Sequence, residues 1–255
     1  MIISHKHKFV YIAPYKCAST TIREVLNSFA SINSNDFNNT PNSFYYRNWH
    51  IKPEDLKDHF AKKNWNWDDY FKFTFVRNPW DRLVSTWNYK KKSKHMWEKY
   101  NSGTLEHYME CVELFKKYKD IKDYTIAGVV TPCSDWVYDE NGNNFLDFVG
   151  KIESLQEDFN IVCDKIGIPK QELPHKNKSK HKHYTKYYDD ETREIVAEKF
   201  AKDIEYFGYE FGETKDEKYF RWSIFSWAPV LGWLGHPPKE QHTEMRRQQK
   251  LFVIG

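Results

Sequence analysis

The 255-residue chain has few glycines, few cysteines and almost no excess of charge. With 10 Gly and 10 Pro it fits neither a collagen-like repeat nor a flexible glycine linker. A net charge of +3 excludes a histone-like polycation, and no nucleic-acid-binding module is visible, so nucleic acid is not expected as a partner. The four cysteines form no C-x-x-C pair and no zinc-knuckle spacing. We therefore expect reduced thiols, as in a cytoplasmic protein.

Long apolar runs are also missing from the sequence. The apolar stretch near the N-terminus is too short for a signal peptide or an anchor, and the uncharged stretch 222–235 is too short to span a bilayer. The sequence therefore predicts a cytoplasmic protein with no transmembrane segment. Aromatic residues, by contrast, make up 18% of the chain, which excludes a disordered chain.

Short strand patterns alternate with helix patterns along the chain. The apolar run 8–13 predicts a buried strand, and apolar residues at helical spacing from 22 to 29 predict a helix after it. Alternation over 71–75 predicts a second strand, followed by a helix with Asn78 as N-cap and Pro79 as first residue. The predicted fold class is α/β: a P-loop-like, three-layer fold with a central, mostly parallel sheet flanked by helices.

Later segments continue this alternation up to about residue 211. The segment 145–152 predicts another strand, and a capping box of Ser154 and Glu157 predicts the helix that follows. A last helix is predicted to be capped within 189–190 and to end at Gly208.

The composition changes at residue 216, which predicts two parts. Residues 1–215 form the main domain, and residues 216–255 form a tryptophan-rich extension. Three interpretations of the extension are open. It packs back on the domain, which we favour; it makes peripheral contact with a membrane surface; or it covers the site or a partner chain. The oligomeric state cannot be predicted from the sequence.

A short polar loop, Pro14 to Thr21, separates the first predicted strand from its helix. Backbone N–H groups at a helix start form an anion site, Lys16 adds a full charge, and Ser19, Thr20 and Thr21 add hydroxyl donors. The loop has no glycine and does not match the nucleotide loop G-x-x-x-x-G-K-[ST], which argues against an ATPase. Taken alone, a capped helix with an incidental lysine is an equal alternative.

The second candidate motif is FVRNPWDRLVS at 75–85. Arg77 stands at the end of a strand, where open α/β sheets bind ligands, and its guanidinium offers a bidentate fork for a phosphate. Ser85 follows two helical turns later and can supply a hydroxyl. The alternative is a structural arginine that pairs with Asp81 or with a helix end.

In this order and spacing, the two motifs resemble those of the sulfotransferases that use 3′-phosphoadenosine 5′-phosphosulfate (PAPS), in the family-2 and carbohydrate sulfotransferase branch. PYKCASTT resembles that family's 5′-phosphosulfate loop, FVRNPWDRLVS resembles its 3′-phosphate motif, and the likeness covers roughly residues 8–211. One departure is Ala18, where many relatives carry glycine. The resemblance implies an enzyme that moves a sulfuryl group from PAPS to a hydroxyl, or less favourably an amine, of a glycan or small-metabolite acceptor, releasing PAP, the 3′,5′-bisphosphate product.

The resemblance also implies a role for each matching residue. Lys16 would bind the 5′-phosphosulfate and stabilise the leaving phosphate oxygen, while Arg77 and Ser85 would bind the 3′-phosphate. The same 5′-phosphate would be lined by Cys17, Ala18, Ser19, Thr20 and Thr21. In the basic run 176–186, Lys178 and Ser179 would contact the nucleotide. The alternative for that run is a solvated, lysine-rich loop.

A base must also remove the proton of the acceptor, and histidine suits that task near neutral pH. His50 lies between the two motifs, in the stretch where several glycan sulfotransferases of this branch place a catalytic histidine. We therefore predict His50 as the base, with Glu54 and His59 as alternatives. An ordinary surface histidine before a helix is the competing interpretation.

The same reasoning bears on metals and on rival functions. In-line sulfuryl transfer through a loose transition state needs positioning and positive charge, so no metal is expected. Two other functions stay open from the sequence: a kinase-like phosphotransferase, and a non-catalytic basic module that binds glycans or nucleic acid.

Overall fold

A computed structural model of the chain describes residues 1–33, 50–100, 131–174 and 182–212, with isolated positions between 109 and 120. The chain divides into two units, Met1–Lys215 and Asp216–Gly255, and every described residue belongs to the first. The extension 216–255 therefore lies outside the described residues, and the interpretations given for it stay predictions. Within the described ranges, no helix is both long and apolar enough to cross a bilayer.

Short strands form one mixed sheet in the described part of the chain. They are β1 (Ile2–Ser4), β2 (Phe9–Tyr11), β3 (Ile32–Asn33), β4 (Phe71–Val76) and β5 (Phe148–Lys151). Their order across the sheet is β3-β1-β2-β4-β5. β2 pairs with β4 and β4 with β5 in parallel, whereas β1 runs antiparallel to both of its neighbours. All strands except β1 thus share one direction, and the predicted, mostly parallel sheet is confirmed.

Helices cover both faces of this sheet. The α-helices of the described ranges are α1 (Ser19–Leu26), α2 (Pro53–Lys62), α3 (Pro79–Tyr100), α4 (Leu155–Ile166), α5 (Asp190–Lys199) and α6 (Ala201–Phe207). On one face, Ile22 of α1 and Phe159 of α4 share a buried cluster with Phe75 of β4. On the other, Phe60 of α2 shares a buried cluster with Val10 of β2. The three-layer prediction is therefore confirmed.

The helix α3 leaves the carboxyl end of β4 through a well-defined bend. The Asn78 side-chain oxygen accepts a hydrogen bond from the Trp80 N–H at 3.1 Å, and Pro79 is the first residue of the helix, as predicted. Beyond the bend, Trp80 and Val84 pack in a third buried cluster with Phe200. The bend places Arg77 between strand and helix.

The structure differs from the predicted helices at two points, although Ser154, Asp189 and Gly208 bound them as predicted. The Ser154 hydroxyl donates to Asp158 at 2.9 Å, and Asp158 also accepts from the Lys151 N–H at 2.7 Å, so the predicted box with Glu157 is not formed. The last predicted helix is interrupted at Phe200, whose φ of −105° and ψ of 25° separate α5 from α6.

Candidate active site

The loop that starts at Pro14 follows β2 and leads directly into α1. Lys16 has φ 64° and Ala18 has φ 56°, so both adopt the left-handed backbone that L-residues seldom use. Ala18 is the N-cap of α1, and its methyl group cannot accept a hydrogen bond from the first-turn N–H groups. Those N–H groups, at the positive end of the helix, are in position to bind an anion.

The other predicted loop residues differ in exposure. Thr20 is exposed and Ser19 is half-buried, so both hydroxyls can reach a ligand at the helix start. Thr21 is only 8% exposed, and the Cys17 side chain is fully buried. Cys17 can therefore serve a phosphate through its backbone alone.

Lys16 supplies the charge of this loop. Burial, and after it the nearby Arg77 cation, lowers the pKa of Lys16 from its ordinary value of 10.5 to about 8. The Lys16 Nζ lies 4.1 Å from the centroid of the Tyr89 ring, a cation–π contact. A bound anion beside this ammonium would favour its charged form, because the attraction between opposite charges offsets the cost of burial.

Arg77 joins the two predicted motifs. Its Nη1 donates to the Lys16 carbonyl oxygen at 3.3 Å, its Nε donates to Asp81 Oδ2 at 2.8 Å, and its Nη2 lies 2.8 Å from the same oxygen. Among the described residues, these contacts occupy three of the five N–H bonds of the guanidinium, and one N–H on each terminal nitrogen is then available to a ligand. The ion pair with Asp81, offered as the alternative to ligand binding, is thus present together with a contact to the loop that carries Lys16.

Two tyrosines were not singled out from the sequence: Tyr15, within the loop, and Tyr89, in α3. Ser85 is 6% exposed in α3, and Tyr89 lies one helical turn further along the same face. The Tyr15 ring contacts both Tyr89, at 6.3 Å between centroids, and His50, at 5.1 Å. The i, i+4 spacing of Ser85 and Tyr89 places both residues on one helix face, so it could have pointed to Tyr89.

His50 lies at the end of β2, beside the loop. Its Nδ1 is 2.6 Å from the Ala13 carbonyl oxygen. Because a carbonyl only accepts, Nδ1 carries the proton and Nε2 keeps the lone pair. Burial lowers the pKa of His50 to about 4, although the hydrogen bond to Ala13 opposes that shift. The ring is therefore neutral near pH 7, as a general base must be.

The two alternative bases occupy α2. Glu54 is exposed in the first turn of that helix, and His59 lies in its last turn with its ring 5.8 Å from that of Trp65. His50, by contrast, contacts Ala13, just before the loop, and Tyr15, the loop residue next to Lys16.

Two further predictions concern the basic run 176–186 and metal ions. Lys178 and Ser179 lie outside the described residues, so their contacts with a nucleotide stay a prediction. In the part of the chain that the structure describes, no group of three or more His, Cys, Asp or Glu residues could hold a metal ion.

Comparison with known proteins defines the class to which this fold and loop belong. Residues 1–210 match the Sulfotransferase family, and the chain belongs to that family. The predicted family is therefore confirmed.

Individual relatives are more distant. The chain is 26% identical over 221 residues to human carbohydrate sulfotransferase 9, an alignment that covers 79% of this chain and 47% of that protein. The chain therefore spans about half the length of this relative. An uncharacterized protein of Archaeoglobus fulgidus is 26% identical over 115 residues, 41% of this chain and 73% of that protein.

Among solved structures, the chain is similar to mouse sulfotransferase SULT7A1 complexed with PAP. The TM-score is 0.38 at 14% sequence identity, and the match covers 80% of this chain and 86% of that chain. A likeness this weak carries no argument about the site.

Proposed function

We propose that this protein transfers a sulfuryl group from PAPS to an acceptor hydroxyl and releases PAP, with His50 as the base. The observation that carries the proposal is the hydrogen bond from Arg77 to the Lys16 carbonyl, because it brings the two motifs together at one edge of the sheet. Membership of the sulfotransferase family supports the same reaction. An amine acceptor is less favoured.

The residues at this edge fit a ligand with two separate anionic groups. Lys16 and the first-turn N–H groups of α1 would hold the 5′-phosphosulfate, and the two remaining N–H directions of Arg77, with the Ser85 hydroxyl, would hold the 3′-phosphate. The bound donor supplies a sulfuryl group on a phosphate leaving group. The reaction also needs stabilisation of negative charge and removal of a proton, and the side chains of this protein would supply both.

Those side chains divide the work between charge and proton. Lys16 places positive charge beside the oxygen that becomes negative as the sulfur–oxygen bond to phosphate breaks. His50 Nε2 takes the acceptor proton while the acceptor oxygen forms its bond to sulfur. The Ala13 carbonyl, which accepts from Nδ1–H at 2.6 Å, stabilises the imidazolium that results.

Calorimetric titration with PAP tests the nucleotide site. We expect wild-type protein to bind PAP and Arg77→Ala to bind it about 10–100-fold more weakly, because a charge-assisted bidentate contact is lost. Arg193→Ala is the matched control, since Arg193 pairs at the surface with Asp190 and Glu194. Binding of ATP but not PAP would favour the phosphotransferase alternative. Equal affinity in wild type and Arg77→Ala would remove Arg77 from the site.

Turnover of the His50 variants tests the base. His50→Ala should keep PAP affinity and lose most of its turnover, about 100-fold or more, because a general base is removed. Since the pKa of His50 is about 4, wild-type turnover should stay constant as the pH falls from 7 to about 5. Glu54→Ala and His59→Ala are the controls. Full turnover in His50→Ala, with a loss in either control, would move the role to that residue.

We also propose a glycan or a small metabolite as the acceptor and the cytoplasm as the location. Human carbohydrate sulfotransferase 9 supports the acceptor class by its name. Incubating the protein with PAPS and a panel of neutral glycans, phenols and amines, with detection of sulfated products by mass spectrometry, decides among them. A product from amines alone would contradict the hydroxyl assignment.

A further inference from the structure

Two thiols meet directly beneath the phosphate loop. The Cys17 Sγ, in the loop itself, lies 3.6 Å from the Cys133 Sγ, which belongs to the short 3₁₀ helix Cys133–Trp136. Both side chains are fully buried. They are 116 positions apart in the sequence, so this contact links the loop to a distant segment.

A buried cation stands beside this pair. The Arg82 guanidinium, 1% exposed, donates hydrogen bonds to the Cys133 sulfur and to the Thr131 carbonyl. On the other side, the carboxylate of Asp203 accepts from the N–H groups of Cys133 and Ser134, both at 2.7 Å. The carboxylate holds the 3₁₀ helix in place, and the guanidinium supports negative charge on sulfur.

The pKa values of the two thiols shift in opposite directions. Burial alone raises the pKa of Cys17, but hydrogen bonding to the Cys133 thiol and the Arg82 and Arg77 charges bring that pKa below its ordinary value. Burial keeps the pKa of Cys133 well above its ordinary value. Cys17 belongs to the loop beside Lys16, so it is the sulfur of the pair that a small oxidant entering through the loop meets first. A thiolate is the form that reacts with oxidants, and the Arg82 cation favours it on both sulfurs.

We propose that Cys17 and Cys133 form an oxidation site, and that their disulfide prevents the loop Pro14–Thr21 from binding the nucleotide. Cys17 is fully buried but lies between the half-buried residues Lys16 and Ala18, so under this proposal hydrogen peroxide reaches it through local opening of the loop. To bond, the sulfurs must close from 3.6 Å to about 2.05 Å. That closure draws the Cys17 backbone inward, away from the position in which its neighbours face a phosphate.

The chemistry balances with hydrogen peroxide as the oxidant. The Cys17 thiolate attacks one peroxide oxygen, the O–O bond breaks, and the hydroxide that leaves takes up a proton to become water. The Cys133 thiol then attacks the sulfenic sulfur of Cys17, the S–S bond forms, and the sulfenic hydroxyl leaves with the thiol proton as a second water. The two thiols lose two electrons, and the peroxide gains them.

The test separates this pair from the other cysteines. In a Cys111→Ser, Cys163→Ser background, hydrogen peroxide should produce a peptide link between Cys17 and Cys133, found by non-reducing mass spectrometry and removed by dithiothreitol. The same background with Cys133→Ala is the control, and it should give no link. Bound PAP should slow the reaction. If the disulfide weakens PAP binding, bound PAP must disfavour the disulfide to the same extent.

The inference rests on the proposed nucleotide site, so PAP affinity is measured in reduced and oxidised protein. Oxidation should weaken PAP binding by about tenfold or more, since loop N–H groups that move away lose charge-assisted hydrogen bonds to the phosphate, and reduction should restore it. The Cys133→Ala variant should lose less affinity on the same treatment. Reduced protein that fails to bind PAP would contradict the proposed function. Reduced protein that binds PAP but forms no link, or keeps its affinity when linked, would overturn this inference.

Discussion

The two elements proposed to bind phosphate, the loop after β2 and the start of α3, are held in opposite ways. The loop carries left-handed backbone at Lys16 and Ala18, and its cation is partly desolvated, with a pKa of about 8. The start of α3 has an ordinary N-cap in Asn78, and its cation, Arg77, is paired with Asp81. We relate this difference to the different functions proposed for Lys16 and Arg77. Under the proposed function, the cation that responds to the reaction has no carboxylate beside it among the described residues, whereas the cation that anchors the ligand is already paired with Asp81.

The start of α3 is also hydrogen-bonded to other parts of the fold. The Asn78 N–H donates to Glu153 Oε1 at 2.8 Å, and its side-chain amide donates to the Glu210 carbonyl at 3.0 Å. These bonds connect the bend after β4 with the residues that follow β5 and α6. Rigid support of this kind suits a group whose function is to position the ligand.

Replacing the two cations should separate their functions, with the larger effect at Lys16. Lys16→Ala should lower kcat by about 100–1,000-fold, because charge stabilisation of the leaving oxygen is lost. Arg77→Ala should act mainly on PAP affinity. Steady-state kinetics with PAP titrations measure the split, and Lys57→Ala, an exposed lysine of α2, is the control. If Lys16→Ala changed KM alone, the division between the two elements would be wrong.

The pH dependence of PAP affinity should sharpen the same comparison. Burial, followed by Arg77, lowers the pKa of Lys16 to about 8, so PAP affinity should fall about tenfold per pH unit above that value. Lys16→Arg should abolish this fall, since a guanidinium stays charged. Calorimetry between pH 7 and pH 10 provides the measurement. An identical pH profile in both proteins would show that Lys16 does not meet the anion.

The same pKa has a consequence for stability, with a definite sign. A lysine whose pKa is lower in the folded state destabilises the fold while it is charged, below about pH 8. That cost is relieved as the pH rises from about 8 towards the ordinary value of 10.5. Urea unfolding of wild type and Lys16→Met over this range should show it as a gain confined to wild type.

Local sequence patterns predicted the elements that frame the site, because their apolar residues repeat with the period of the structure they form. The alternation that became β4 and the cap at Asn78 are examples. β1 was missed, since a three-residue strand is defined by its pairing with β2 rather than by a pattern of its own. The box at Ser154 was wrong because the serine hydroxyl donates to Asp158, which also accepts from the Lys151 N–H, instead of capping the helix.

The site shows the same limit. Motif order brought Lys16 and Arg77 into one hypothesis, and the structure places them in contact. The meeting of Cys17 with Cys133 could not be predicted, because it depends on how the segment after residue 130 returns to the loop. The tautomer of His50 likewise follows from the Ala13 carbonyl, which no spacing rule locates.

The smallest expected effect concerns the backbone of the loop. Ala18→Gly should stabilise the fold by less than about 1 kcal/mol, because relief of the left-handed conformation exceeds the extra chain entropy of glycine. Ala61→Gly, at an exposed helical position of α2, should instead destabilise it by a similar amount. Urea midpoints at constant m-value measure both changes. Opposite signs would confirm that the loop stores strain which the start of α3 does not, whereas equal destabilisation would leave the two elements distinguished by charge alone.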